Sequence, residues 1–248
     1  PSPWMPLRAM SPLDYHNHTW LCHHARGSVE HYLPRAAMFG LQELGFAEHS
    51  YWMRQAEKNR RVAPTREEMD AYLALMHDWM GRDDAGRGGV ALRLGLEADW
   101  VPELAEEARA FIDGHPFDYV FGSVHHLRDN GDWRTVWDVR PGLDLRQWTR
   151  RYFDAVRDLA QAGLCDVLSH LDVVARCNVL PEDLGLREAE RILPEVLASG
   201  LAIELNTSGR DHLHGRFFPE PRILKLYIEA GVPVTLGSDG HAPWHLGR

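Results

Sequence analysis

Short apolar runs alternate along this chain with longer stretches whose apolar residues recur every three to four positions. The runs extend over Leu13 to His16, Leu44 to Ala47, Ala91 to Leu96, Tyr119 to Ser123, Asp166 to Ser169, Leu201 to Leu205 and Val232 to Leu236. Continuous apolarity over so few residues predicts strands buried on both faces, the habit of parallel sheets. The longer stretches, Val29 to Phe39, Thr65 to Met80, Glu103 to Ile112, Leu145 to Ala162, Glu188 to Ala198 and Pro221 to Ala230, predict amphipathic helices. Ser28, Thr65 with Glu68, and Asp144 supply helix start signals. Gly163, Gly200 and Gly231 close three helices just before the next strand. Strand and helix in strict alternation imply parallel β/α topology.

The polar residues acquire an order once the strands are drawn. The strand ends are followed in turn by His16 and His18, His49, Glu97, His125, His170, Asn206 with Arg210, and Asp239 with His241. In a closed parallel barrel these ends converge on one mouth. His16 and His18, two residues apart on an extended segment, point to one side and can offer two imidazoles to one ion. His, Glu and Asp without Cys suit borderline or harder divalent ions, and the donors exceed what one tetrahedral zinc uses. More than one ion is implied. Glu97 is the natural shared ligand, and such a cluster can hold a bridging hydroxide for in-line attack on phosphorus.

Composition narrows the class. The chain has 248 residues, 44% hydrophobic and 25% charged, a usual size for one α/β barrel, so a single domain over residues 1–248 is expected. A net charge of -9, with no basic run beyond Arg60-Arg61 and Arg150-Arg151, argues against nucleic acid and anionic membrane surfaces as partners. Cys22, Cys165 and Cys177 are odd in number and lack CxxC spacing, so no disulfide framework or thiolate knuckle is expected, and a reducing cytoplasm fits. Pro1 to Pro12 holds no uninterrupted apolar stretch long enough for a signal peptide, and no apolar run in the sequence approaches membrane-spanning length. The chain opens without an initiator Met and stops at Arg248, so one or both ends are expected to be incomplete. The glycine-rich stretch from Gly81 to Gly89 predicts a surface loop.

The motifs His16-Asn17-His18-Thr19-Trp20-Leu21-Cys22-His23-His24, Ala47-Glu48-His49, Gly95-Leu96-Glu97-Ala98-Asp99, Gly122-Ser123-Val124-His125-His126, Ser169-His170-Leu171-Asp172 and Gly237-Ser238-Asp239-Gly240-His241 together resemble the polymerase and histidinol phosphatase (PHP) family. They follow the family's order along nearly the whole chain. The resemblance implies a distorted (β/α)7 TIM-like barrel carrying three divalent ions, zinc, iron or manganese, at the C-terminal ends of its strands. It places His16, His18, Glu97 and Asp239 around the first ion, Glu97, His125 and His170 around the second, and His24, His49 and His241 around the third. His23 and His126 adjoin assigned ligands, and spacing and strand end favour His24 and His125.

Glu204 to Gly209 followed by Arg210 resembles the single-domain histidinol phosphatases within the family. That branch implies hydrolysis of L-histidinol phosphate, a small-molecule phosphate ester, to L-histidinol and phosphate in histidine biosynthesis. Arg176 and Arg210 are the implied pair that grips phosphate oxygens, a task suited to forked guanidinium donors. The leaving alkoxide would take its proton from coordinated water, Asp239 or His241. Asp129, Asp132, His212 and His214 are candidates for recognising the rest of the substrate. A phosphodiesterase or nuclease of the same fold, acting on another phosphate ester or nucleotide, is the alternative, and it would share every ligand. A metal-stabilised scaffold without activity predicts missing ligands, and none is missing. An amidohydrolase would use a bridging lysine, and the two lysines, Lys58 and Lys225, sit away from strand ends.

Overall fold

The structure, a computed structural model, describes residues 12–56, 62–83, 85–177, 179–181, 183–212 and 216–248. The first strand, β1 (Leu13–Asp14), is followed by α1 (Val29–Met38), β2 (Glu43–His49), α2 (Met53–Ala56), α3 (Arg66–Met80), β3 (Ala91–Asp99), α4 (Ala105–Asp113) and β4 (Tyr119–Ser123). After a hairpin of β5 (His126–Asp129) and β6 (Asp132–Thr135) come α5 (Leu145–Ala162), β7 (Val167–Leu168), α6 (Leu184–Ser199), β8 (Ala202–Asn206), α7 (Gly209–His212), α8 (Pro221–Glu229) and β9 (Val234–Gly237). Among the described residues no helix is long and apolar enough to cross a membrane.

The seven predicted strands form one parallel sheet in the order β1-β2-β3-β4-β7-β8-β9. Its two edges meet. The Tyr15 amide donates to Leu236 O at 3.1 Å, and beyond the strands His18 N–H meets Gly240 O at 2.9 Å and Gly240 N–H meets His16 O at 3.0 Å. With the parallel bridge Asn17 to Gly240, the sheet closes into a seven-stranded TIM-like barrel. Closure brings the first metal motif of the sequence against the last.

The longer helices cover the barrel with one apolar face each. In α5 the buried Trp148, Tyr152, Phe153, Val156 and Leu159 recur at helical spacing and join the main core. Burying each such side chain contributes roughly 1.5 to 3 kcal/mol. The predicted start signals operate: Thr65 N–H meets Glu68 Oε2 at 2.7 Å while Glu68 N–H meets Thr65 Oγ1 at 3.1 Å, and Asp144 Oδ1 accepts from the amides of Arg146 and Gln147. Inside the barrel a smaller cluster of Ala47, Phe121 and Val167 packs with Tyr15 and Tyr119. Gly45 and Gly95 make room for Tyr119, since a Cβ there would lie 2.2 and 2.3 Å from its side chain.

The β5 and β6 hairpin lies between the fourth and fifth apolar runs, where no strand was expected. Asn130 and Gly131, both at positive φ, form its two-residue turn.

Candidate metal centre

His16 and His18 stand on the extended segment after β1, and their rings are held by carboxylates from neighbouring strands. His16 Nδ1 lies 2.7 Å from Glu204 Oε1 on β8, and His18 Nδ1 lies 3.3 Å from Glu48 Oε1 on β2. Glu48 also accepts from Thr19, at 2.6 Å from Oγ1 and 3.0 Å from the amide. Glu204 accepts from the His170 amide at 2.9 Å and from Asn206 Nδ2 at 3.0 Å. Gly237 permits the His16–Glu204 contact, because a Cβ there would fall 2.0 Å from Glu204 Oε1. With Nδ1 donating outward, each Nε2 lone pair is turned toward the barrel mouth.

Those inward atoms have no hydrogen-bond partner: His16 Nε2, His18 Nε2, His241 Nε2, His49 Nδ1 and Glu97 Oε2 are all buried and unsatisfied. Buried polar atoms are rarely left so unless a ligand answers them. His16 Nε2 and His18 Nε2 lie 3.6 and 3.7 Å from Glu97 Oε2, and 3.9 and 3.4 Å from Asp239 Oδ1. His49 Nδ1 approaches the same Glu97 oxygen at 2.6 Å. The other oxygen, Oε1, meets His170 Nε2 at 3.2 Å, His125 Nε2 at 3.4 Å and the Ser123 hydroxyl at 2.7 Å. Two imidazole Nε2 atoms 3.2 Å apart, His125 and His170, compete for one proton and suit one shared cation. Asp99 orients this pair through His125 Nδ1 at 3.0 Å.

His24, His49 and His241 complete the cluster, their ring centroids 4.4 to 5.8 Å apart. His24 donates through Nδ1 to Cys22 O at 2.9 Å, and His241 through Nδ1 to Asp239 O at 3.0 Å. The donor triads that close within 4.8 Å include His16, His18 and Asp239; His49, Glu97 and His125; and His18, His49 and His241. The nine donors thus form one continuous nest. His23 lies outside it, paired with Glu68 at 2.9 Å, while His126 shares Asp99 at 3.3 Å and faces the cavity.

The cluster is electrostatically tuned. Burial disfavours a charged His16, yet Glu204, Glu97 and Asp239 outweigh it and hold its pKa well above the usual imidazole range. Burial likewise opposes ionised Glu97 and Asp239, but the surrounding imidazoles, His49, His125 and His16 for Glu97 and His16, His18 and His241 for Asp239, keep both carboxyls well below their ordinary range. Carboxylates that stay ionised at such depth present a negative field that a divalent cation would answer.

Above it opens a cavity of about 370 Å³ whose wall includes Arg176, Trp137, Asp211, His245 and Arg248. The Arg176 guanidinium lies over the Trp137 ring, 4.7 Å from its centroid. Arg210 is not on that wall: it is exposed on α7. Ser208 and Asp211, three residues apart, share the cavity face of this single turn, and helical geometry turns Arg210 away from it. The other recognition candidates fare differently. Asp129 is engaged by Arg134 at 3.1 Å and by Arg140. Asp132 sits at the hairpin turn, the His212 side chain is not described, and His214 lies outside the described residues. Lys58 also lies outside them, and Lys225 is exposed on α8, 3.8 Å from Glu229.

Sequence reasoning assigned no role to Glu48, Asp99 or Glu204, or to the wall residues Asp211 and Arg248. The signal for the three carboxylates was a charge in or just after an apolar run: Glu48 and Asp99 stand within two positions of the expected ligands His49 and Glu97, and Glu204 lies inside the run Leu201 to Leu205. Such a charge is buried at a cost unless it serves a neighbour.

The chain is similar to known proteins over most of its length. The PHP domain profile matches residues 14–208. A probable histidinol-phosphatase of Deinococcus radiodurans is 33% identical over 238 residues, covering 94% of this chain and 88% of that protein. The histidinol-phosphatase of Bacillus subtilis is 24% identical over 263 residues, covering 96% of each. Among solved structures, a histidinol phosphatase candidate from Listeria monocytogenes superposes with a TM-score of 0.84 at 20% identity, over 95% of this chain and 97% of that one. The Lactococcus lactis histidinol phosphate phosphatase, solved with zinc, L-histidinol and phosphate, superposes with a TM-score of 0.72 at 22% identity, over 94% of this chain and 87% of that one.

Proposed function

Because the chain belongs to the PHP domain family, we propose that its barrel mouth is the active site of a histidinol-phosphatase, hydrolysing L-histidinol phosphate to L-histidinol and phosphate. The observation that carries the reading is the buried nest of unsatisfied imidazole and carboxylate donors beneath a cavity walled by arginine. Relatives spanning nearly the same length bear that activity in their names, and one is known with L-histidinol and phosphate bound.

His16, His18, Glu97 and Asp239 would hold one divalent ion, Glu97, His125 and His170 a second, and His24, His49 and His241 a third. Zinc fits these nitrogen and oxygen donors, as do iron(II) and manganese. When bound, such ions polarise phosphoryl oxygens, acidify water and offset the charge that builds on oxygen during displacement.

The chain's own residues supply the rest. Glu97 turns one oxygen to each half of the nest, so its carboxylate is the hinge between them. Glu204, Glu48 and Asp99 fix ring orientation and leave the inward nitrogens free to ligate, which lowers the reorganisation needed at the moment of reaction. Arg176, stiffened by Trp137, would take nonbridging phosphate oxygens. Asp239 and His241 both face the cavity, but the imidazoles around Asp239 and the burial of His241 hold each in its proton-free form, so water at the cavity rather than either side chain would protonate the leaving alkoxide. The family resemblance implied a share in the phosphate grip for Arg210, but that residue is exposed on α7 and off the cavity wall.

A phosphate-release panel of L-histidinol phosphate, nucleoside monophosphates, a phosphodiester and single-stranded DNA tests the assignment. L-histidinol phosphate is expected to give the highest kcat/KM, and a diester or polynucleotide in first place would overturn it.

A further inference from the structure

We propose that Asp211, presented by Arg248, is the specificity-determining residue that selects phosphomonoesters carrying an ammonium group close to their phosphate. The inference rests on the phosphatase reading above. Arg248 is anchored from behind: its Nε donates to Ser238 O at 3.2 Å, and one Nη donates to Ser238 O at 2.9 Å and Asp239 O at 3.3 Å. Its remaining Nη1 pairs with the Asp211 carboxylate at the cavity wall. Asp211 is tied to the same strand end a second way. Its amide donates to Ser208 O at 3.0 Å, and the Ser208 hydroxyl donates to Asp239 Oδ2 at 3.2 Å.

Among the described wall residues Asp211 is the only carboxylate besides Asp239, and its side chain is 50% exposed whereas that of Arg248 is 15% exposed. A half-open carboxylate is a poor neighbour for a phosphate dianion. It repels simple monoesters and is tolerated only where the substrate brings a cation to meet it, so it discriminates by penalty as well as by attraction. In L-histidinol phosphate the amino group stands on the carbon next to the one bearing the phosphate ester. Asp211 shares the cavity wall with Asp239 and His241, both in the part of the nest open to a seated phosphate. The pairing with Arg248 holds the Asp211 carboxylate at the cavity wall, already oriented before substrate arrives.

The test compares kcat/KM of the metal-loaded parent and Asp211→Asn on three compounds: L-histidinol phosphate, its desamino analogue 3-(imidazol-4-yl)propyl phosphate, and 4-nitrophenyl phosphate. The variant should lose about 10-fold or more on L-histidinol phosphate, chiefly in KM, and the parent's preference for it over the desamino analogue should collapse to near unity. Asp211→Glu, which keeps the charge, should retain part of that preference. An equal loss on all three compounds, or a preference for the amine that survives Asp211→Asn, overturns the assignment. A parent enzyme that hydrolyses 4-nitrophenyl phosphate but not L-histidinol phosphate overturns the substrate reading as well, and so separates that failure from this one.

Discussion

A single carboxylate shows how much hangs on individual atoms in this molecule. Glu97 is buried among five imidazoles and gives one oxygen to each half of the nest. Glu97→Gln keeps the shape and removes the charge, so turnover should fall to under about a tenth of the parent and bound metal should drop with it. Retention of more activity in steady-state assays would show that Glu97 is not the shared ligand. Arg176→Ala removes a charge-assisted contact of roughly 1.5 to 3 kcal/mol, an expected loss of about 10- to 150-fold in kcat/KM, checked by kinetics on L-histidinol phosphate.

Asp172 gives a different handle. Burial, with Glu220 nearby, pushes its carboxyl up to about 7, and its Oδ1 has no partner while Oδ2 accepts from the Glu220 amide at 2.9 Å. Its folded pKa is above its unfolded one, so between about 4 and about 7 the native state binds the extra proton and stability falls as pH rises. Asp172→Asn should therefore gain in Tm relative to the parent as pH goes from about 5 to about 8, and a Tm difference flat over that range would refute the burial argument.

At this scale the sequence was legible where a residue type has few other uses. Histidines at successive strand ends have no packing reason to recur there. It was not legible where direction mattered. Arg210 and Asp211 are adjacent in the chain, and only the single turn of α7 decides that Asp211 faces the cavity.

At the scale of elements, the strands of the barrel were the most readable part. A strand buried on both faces must be apolar along its whole length, and parallel pairing forces a helix between each pair. The short β1 and β7 hold their place because His16 and His170 just beyond them are gripped by Glu204. The β5 and β6 hairpin went unread because its strands are four residues long and mix apolar with charged side chains on both faces, although Asn130-Gly131 is a strong turn signal. Helix starts were readable through their caps. Asp144→Ala would leave the amides of Arg146 and Gln147 at the head of α5 without an intramolecular acceptor, at a cost of about 1 kcal/mol. Chemical denaturation should show that loss with an unchanged denaturant slope, and an effect near zero would mean solvent replaces the cap in full.

The whole molecule joins its chemistry to its closure. Donors follow β1, β2, β3, β4, β7 and β9, so bound ions would tie six of the seven barrel strands together at one end. The seam between β1 and β9 is held beyond β1 by the backbone pairing of His16 and His18 with Gly240, by Ser238 on Asp14 and Asn17 and by the Tyr32 hydroxyl, and His16, His18, Asp239 and His241 flank that pairing. The formal charge of -9 also fits, since three divalent ions would bring it to -3 and relieve repulsion among buried carboxylates. Ligands that bind only the folded state stabilise it by mass action, about 2.7 kcal/mol for one site at a hundredfold excess over Kd. For a chain of this size that corresponds to a Tm change of about 5 to 10 °C per ion. Removal of metal by a chelator should therefore abolish phosphate release and lower Tm together, and zinc should restore both. Elemental analysis of the active protein should find about three ions per chain. If one tightly bound ion per chain sustained full activity, or if chelation removed activity and left Tm unmoved, the ions would not be the staples of the barrel mouth.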